Sequence, residues 1–330
     1  MSILENIKDS QKQWANENNI PLQGSEREKG DKIYTMDLNS NFFIPLSDNS
    51  YMELKKGKGN ELISINNREP TAQALHSSCA LVVNIFEYWK QNKEYSIIAK
   101  LLGINDKNII NMEYEKPFTI FNKTNIQANL DVCFEYSDNS VVAIESKYTE
   151  PYGLRNGKNI FKLKYFDINN KDIWCELPNL FELANMINNN ETVFEYLDAS
   201  QLIKHTLGLQ NIIKNKGKYE LIYLYFPSIE KTPEVKHEIE IMALNEIMKL
   251  DKINFVCLNW LNVIEKLRRN LHDVRKKYIE YIVGRYVNSL LFDKGKIKFT
   301  NIAGVLNNMD NIKVINSEDI KNAQTAHNKR

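Results

Sequence analysis

The sequence predicts an α/β protein whose mixed sheet is covered by helices on both faces. Three observations carry that prediction. Residues 117–148 are rich in β-formers and broken by turn residues; apolar runs of strand length recur at 219–226 and 253–258; and helix-spaced segments lie before, between and after them. At 330 residues the chain is long enough for one large domain or two ordinary ones.

The elements follow in order. A polar helix is expected at about 3–18, then a Pro/Gly-punctuated stretch in which 31–38 and 41–45 could form short strands. Lys55 to Asn60 has the composition of a flexible basic connector. A helix is predicted over 71–92, because Leu75, Cys79, Val82, Val83, Phe86 and Trp89 share one face and Pro70 suits a helix start. A short helix at 95–102 ends on Gly103. Strands are expected at 117–122, 129–136 and 140–148. In the second, Leu130, Val132, Phe134 and Tyr136 alternate with Asp131, Cys133 and Glu135, and Asp138-Asn139 forms the following turn. Helices are predicted at 177–189, 191–213, 233–250 and twice within 260–291. Tyr219–Phe226, closed by Pro227, and 253–258 read as buried strands; the tail after Asn316 is polar.

Lys and Arg number 43 against 42 Asp and Glu, a net charge of +1, which excludes a uniformly basic coat protein and an acidic tail protein. No apolar run approaches the length of a membrane span, and the first residues lack the pattern of a secretory signal, so a soluble cytoplasmic protein is expected. The four cysteines are isolated, without metal-ligand spacing.

The chemistry concentrates in the meander. Glu145 and Lys147 share the parity of one strand and therefore one face, and the turn at 138–139 brings Asp131 back beside them. Two carboxylates placed together need a cation between them. A hard ion such as Mg²⁺ accepts oxygen ligands and keeps several waters; the Ser146 carbonyl can point at the same ion, and Lys147 can stabilise charge on a phosphate. The Glu-x-Lys triplet recurs at Glu53/Lys55, with Asp37 upstream, and at Glu234/Lys236. Only Glu145 follows an interior strand, and an active site needs rigid support. The plain alternative makes Glu145 and Lys147 the wet face of an edge strand, paired across to Glu135.

The set Asp131, Glu145-Ser146-Lys147 on an αβββαβ framework resembles the PD-(D/E)xK nuclease superfamily, the restriction-endonuclease-like fold, over roughly residues 60–260. Leu130 stands where the motif's name has Pro. In that family the Asp and Glu bind Mg²⁺ and the Lys assists attack of water on a phosphodiester. The resemblance implies an endodeoxyribonuclease, most simply a restriction enzyme. The alternatives are a repair, recombination or mobile-element nuclease, or a non-catalytic DNA-binding protein on the same fold. It implies Mg²⁺ with Mn²⁺ able to substitute, double-stranded DNA as partner, a homodimer, and no nucleotide cofactor. It also divides the chain into an accessory region 1–60, a nuclease domain 61–292 and a polar extension 293–330.

Supporting residues are less sharply marked. The family often adds a carboxylate ahead of the meander; Glu61, Glu69 and Glu87 are candidates, and Glu61 is preferred because glycines precede it. Gln201 and His205, four apart on a helix, are similar to the Gln-x-x-x-Tyr motif of some members. Arg155, Lys158 and Lys162, with Lys164 and interleaved Tyr152, Phe161 and Tyr165, could line a phosphate-tracking groove. Lys266, Arg268, Arg269, Arg275, Lys276 and Lys277 form a second basic cluster.

Overall fold

The computed structural model describes residues 3–287 apart from 58, 67, 122–125, 154–160, 214–215, 228–230 and 272–273. The chain opens with α1 (Ile3–Glu17), followed by a small antiparallel pair, β1 (Leu22–Gly24) and β2 (Lys32–Thr35). Residues 42–45 form no strand: a 3₁₀ turn at Asn39–Asn41 precedes them and α2 (Asp48–Lys56) follows, so the first two residues of the expected basic connector, Lys55 and Lys56, are helical. Ser47 caps α2 by accepting the Ser50 N–H (3.2 Å).

The predicted 71–92 helix starts late. Residues 71–73 make a 3₁₀ turn, Ala74 bridges to Tyr34, and the Leu75 N–H donates to the Ile33 carbonyl (3.0 Å), so this stretch extends the β2 edge. α3 (Ser78–Gln91) begins only after Ser77, whose hydroxyl accepts the Ala80 N–H. α4 (Tyr95–Leu102) ends on Gly103 at φ 81°, the left-handed conformation that a helix stop favours.

Five strands, among the described residues, form the main sheet: β3 (Ile109–Thr119), β4 (Gln127–Tyr136), β5 (Val141–Lys147), β6 (Tyr219–Tyr225) and β7 (Phe255–Asn259), adjacent in that order. β3, β4 and β5 are an antiparallel meander; β5, β6 and β7 run parallel. β3 begins eight residues before the expected start. It is an edge strand, which explains its charged sequence (Glu113, Glu115, Lys116) and its tolerance of Pro117. α5 (Pro178–Asn188) and α6 (Ala199–Ile213) come between β5 and β6. α6 starts later than predicted because Glu240 takes the N–H groups of residues 195–197 and Asp198 caps the helix. α7 (Lys231–Leu250) precedes β7; α8 (Trp260–Leu271) and α9 (Lys276–Tyr286) close the described chain. Among the described residues no helix is long and apolar enough to cross a membrane.

Two apolar clusters sandwich the sheet. Val132, Phe134, Val142, Ile144, Ile222 and Leu224 meet α3, α4, α8 and α9 on one side; Cys133, Val141, Ala143, Leu221 and Tyr223 meet α5, α6 and α7 on the other. The long β3–β4 hairpin changes allegiance along its length: Met112 and Tyr114 belong to the first cluster, Phe118 to the second. Glu115, at φ 49°, sits at the change.

The amino-terminal elements are built into the same molecule. Ile7, Phe42 and Leu54 lie in the first cluster. Arg285 of α9, fully buried, donates to the Asn41 carbonyl (2.8 Å) and side chain (2.6 Å), the Leu75 carbonyl (3.3 Å) and Gln11 (3.1 Å), with Trp14 against its guanidinium. Replacing Arg285 by Met is expected to cost about 3 kcal/mol, because it strands several buried acceptors at once. The measurement is the urea midpoint at unchanged slope; Arg268→Met on the surface should leave the midpoint where it was.

Candidate active site

The last registered pair between β4 and β5 is Val132 with Ile144. One step further the register sets Asp131 across from Glu145, and there the ladder stops. A side chain takes over: the Ser146 N–H donates to Asp131 Oδ2 (2.6 Å). The β4–β5 pairing thus ends where the two carboxylates stand. The Ser146 hydroxyl faces the opposite side of the sheet, where it accepts the Trp260 indole N–H (3.2 Å).

Glu145 is only 2 % exposed. Lys147 Nζ donates to its Oε1 (2.5 Å), and His205 Nε2 of α6 lies 2.9 Å from its Oε2. Burial alone would raise the Glu145 pKa; Lys147 and His205 outweigh it and hold the carboxyl down to about 2. Burial works against the Lys147 charge too, but Glu145, Glu150 and Asp131 hold its pKa above the usual lysine range. Asp131 behaves oppositely. It keeps a solvent-facing edge, yet burial and then the charges of Glu145 and Glu115 push it well above the usual carboxylate range, against Lys147 and the Ser146 N–H. This is no edge-strand surface pair: β5 is central, and Glu135 pairs instead with Lys116 on the outer strands.

Two further carboxylates feel the same field. Glu61, preferred from its glycine context, is raised by burial and by Glu150 and Glu145, with Cys79 and Lys147 opposing. Glu115 was not singled out by the sequence. It lies opposite Asp131, between the Tyr114–Val132 and Lys116–Leu130 pairs, and burial followed by Glu61 and Glu145 raises it to about 7. Gly57 makes room for it, since a Cβ there would come within 2.7 Å of the Glu115 carboxylate. The alternation of Met112 and Tyr114 with Glu113 and Glu115 is the signal that marks this strand.

The remaining candidates part company. Of the helix pair, His205 and not Gln201 meets Glu145; Gln201 is half-buried and gives its backbone N–H to Asp198 (2.8 Å). Glu87 accepts the Ser47 N–H (3.0 Å), and Glu69 feels Ser25 rather than the carboxylates. The rival set Asp37, Glu53 and Lys55 does not converge: Asp37 binds Ser40, Lys55 lies over Tyr51, and Glu53 pairs with Lys90 while accepting the Tyr114 N–H (2.8 Å). Arg155 and Lys158 lie outside the described residues, as does the extension 293–330. Lys162 is exposed, but Phe161 and Tyr165 are core residues and Tyr152 binds the Phe226 carbonyl (2.7 Å), so the expected aromatic interleaving is packing. In the late basic cluster Arg268 and Arg269 pair with Glu265, Arg275 with Glu94 and Lys276 with Glu280, while Lys266 donates to the Leu101 carbonyl (3.2 Å). Much of that charge is spent within the fold.

Among the described residues no group of three or more His, Cys, Asp or Glu forms a ready-made metal cage. Asp131 and Glu145 offer a carboxylate pair instead, beside Glu115 and Glu61, whose pKa values are raised by burial first and by the neighbouring carboxylates after it. A small hard cation that keeps most of its waters and takes one or two carboxylates fits that donor set.

The described geometry can be set beside known proteins. A family model described as Restriction Endonuclease associating with ARP (REase-ARP) matches residues 8–287. A stretch of 133 residues is 32 % identical to the Probable UTP--glucose-1-phosphate uridylyltransferase of Schizosaccharomyces pombe, covering 38 % of this chain and 25 % of that protein. The chain thus spans a quarter of that relative's length. No solved structure matches the chain.

Glu115 gives a pH test. Its pKa is raised from 4.5 when unfolded to about 7 when folded, so the folded state keeps its proton longer and stability falls as pH rises across that interval. Glu115→Gln should therefore be more stable than wild type by about 1–3 kcal/mol at pH 8 in EDTA, with a smaller gain at pH 5. Urea midpoints at the two pH values measure both.

Proposed function

Because the chain belongs to the REase-ARP family, the restriction endonucleases associating with ARP, we propose that it is a divalent-metal-dependent endodeoxyribonuclease. The observation that carries this reading is the end of the β4–β5 ladder. There Asp131 faces Glu145, and Lys147 lies on the same face. In the PD-(D/E)xK fold those three positions are the ones that work.

Asp131 and Glu145 would hold Mg²⁺ or Mn²⁺, with the Ser146 carbonyl as a further oxygen donor. The ion, when bound, supplies Lewis-acid polarisation of the phosphoryl group and of the attacking water. The protein's own groups do the rest. Lys147 keeps its charge at working pH and can stabilise the negative charge that builds on the phosphate as the diester is attacked. The Ser146 N–H holds the Asp131 carboxylate in place. With Lys147 and His205 against its two oxygens the Glu145 carboxyl is held down to about 2, so it needs to lose no proton before it binds a cation. Glu61 supports the site from the amino-terminal side.

The substrate of this reading is double-stranded DNA met in the cytoplasm, with Lys162 and residues 155 and 158 along the backbone path. Cutting both strands is simplest for a homodimer. Association with ARP is proposed on the family's name alone.

Supercoiled plasmid with Mg²⁺ tests the assignment. Asp131→Ala and Lys147→Ala should each lose at least about 100-fold in nicking rate. Asp131→Ala should keep or raise the urea midpoint, whereas Lys147→Ala, which strands the buried Glu145 carboxylate, should lower it. Equal cutting by all three proteins, or no cutting by wild type on varied genomic DNA with either Mg²⁺ or Mn²⁺, sinks the catalytic reading.

A further inference from the structure

The second nitrogen neighbour of Glu145 is the least expected part of the site. His205 is 4 % exposed, and among the described residues neither ring nitrogen has a hydrogen-bond partner. A histidine used only as core filler has its ring nitrogens satisfied. The polar group this ring meets is Glu145, 2.9 Å away and out of line for a hydrogen bond. Its neighbours along α6, Leu202, Ile203, Thr206 and Leu209, are buried too, so the ring cannot move away without the helix. The helix in turn is held unusually close to the sheet. Gly208 lies one turn on; a Cβ there would sit 2.9 Å from the Phe118 carbonyl and 3.3 Å from Ala128 Cβ. A residue with a side chain would push α6 off the hairpin and draw His205 back from Glu145.

We infer that His205 is a positioning residue for the metal site: with Lys147 on one carboxylate oxygen and His205 on the other, Glu145 is held at a fixed rotation, ready for a hard cation. The arrangement is a protein-built second layer behind a carboxylate ligand, and such layers set how tightly the ligand binds its ion. Each carboxylate oxygen has two lone pairs, so a nitrogen at one leaves the other for the cation. This inference rests on the nuclease reading above, and adds to it a residue that touches neither DNA nor the reacting atoms.

The probe is Mn²⁺ alone, added to the full chain without DNA and followed by electron paramagnetic resonance and calorimetry. His205→Leu, which keeps volume, should weaken Mn²⁺ binding about 10- to 100-fold. His205→Gln, which keeps a polar nitrogen beside that oxygen, should recover part of that loss. In cleavage assays the Mn²⁺ concentration for half-maximal rate should rise for His205→Leu, with the saturating rate much less changed. Gly208→Ala keeps the imidazole but moves its helix, and should show the same shift in smaller measure; it carries the test if His205→Leu does not fold. If Asp131→Ala abolishes Mn²⁺ binding while His205→Leu and Gly208→Ala bind as wild type does, the positioning role is wrong and the nuclease reading stands. If wild type binds no Mn²⁺ at all, both fall together.

Discussion

Burial of several carboxylates within one sheet is the constraint around which this molecule is arranged. Taking a carboxylate out of water is costly unless hydrogen bonds or positive charge replace the lost solvation. At the end of β5 the replacements come from every side. Lys147 is two residues along the strand, His205 arrives on α6, and the Ser146 N–H is released from the ladder to reach Asp131. Glu115 is admitted by a left-handed residue in β3 and by a glycine beyond it. These still do not neutralise the cluster: Glu115, Asp131 and Glu61 remain harder to ionise than free carboxyls.

Much of this was legible in the sequence. The turn at 138–139 and the alternation in 130–136 were enough to place Asp131 beside Glu145, because strand parity and a short turn leave little freedom. The buried strands at 219–226 and 253–258 announced themselves by apolar content. What escaped were features set by partners distant in the chain. β3 was cut short because its first half is charged, and only its place at the sheet edge makes those charges reasonable. Ala74 and Leu75 carry helix-compatible side chains, yet their backbone is claimed by β2, some forty positions earlier. Phe161 and Tyr165 read as part of a phosphate-tracking groove because a sequence does not say which aromatics a core will take.

Two of the three Glu-x-Lys triplets, at 53 and 145, teach the same lesson from opposite directions. Glu53 is nearly as buried as Glu145 and also has a lysine against it. Its partner, however, is Lys90 from another helix, and it also accepts the Tyr114 backbone N–H and the Asn49 side-chain amide. That carboxylate fastens α2 to α3 and β3, with its charge matched by one ammonium. Glu145 instead stands among more acids than cations. Burial and pairing do not separate structural from chemical ion pairs here; the balance of charge in the neighbourhood does.

Arg285 has a bearing on how the chain comes into being. Its guanidinium joins segments that precede it by 274, 244 and 210 positions. While the polypeptide is still emerging from the ribosome, α1 and the loops at 41 and 75 have no arginine to close upon, so those segments wait for α9. A polypeptide that stops before α9 leaves the buried acceptors at Asn41 and Leu75 without the donor that closes them, whereas α2 and Gly57 are already fastened to α3 and β3 through Glu53.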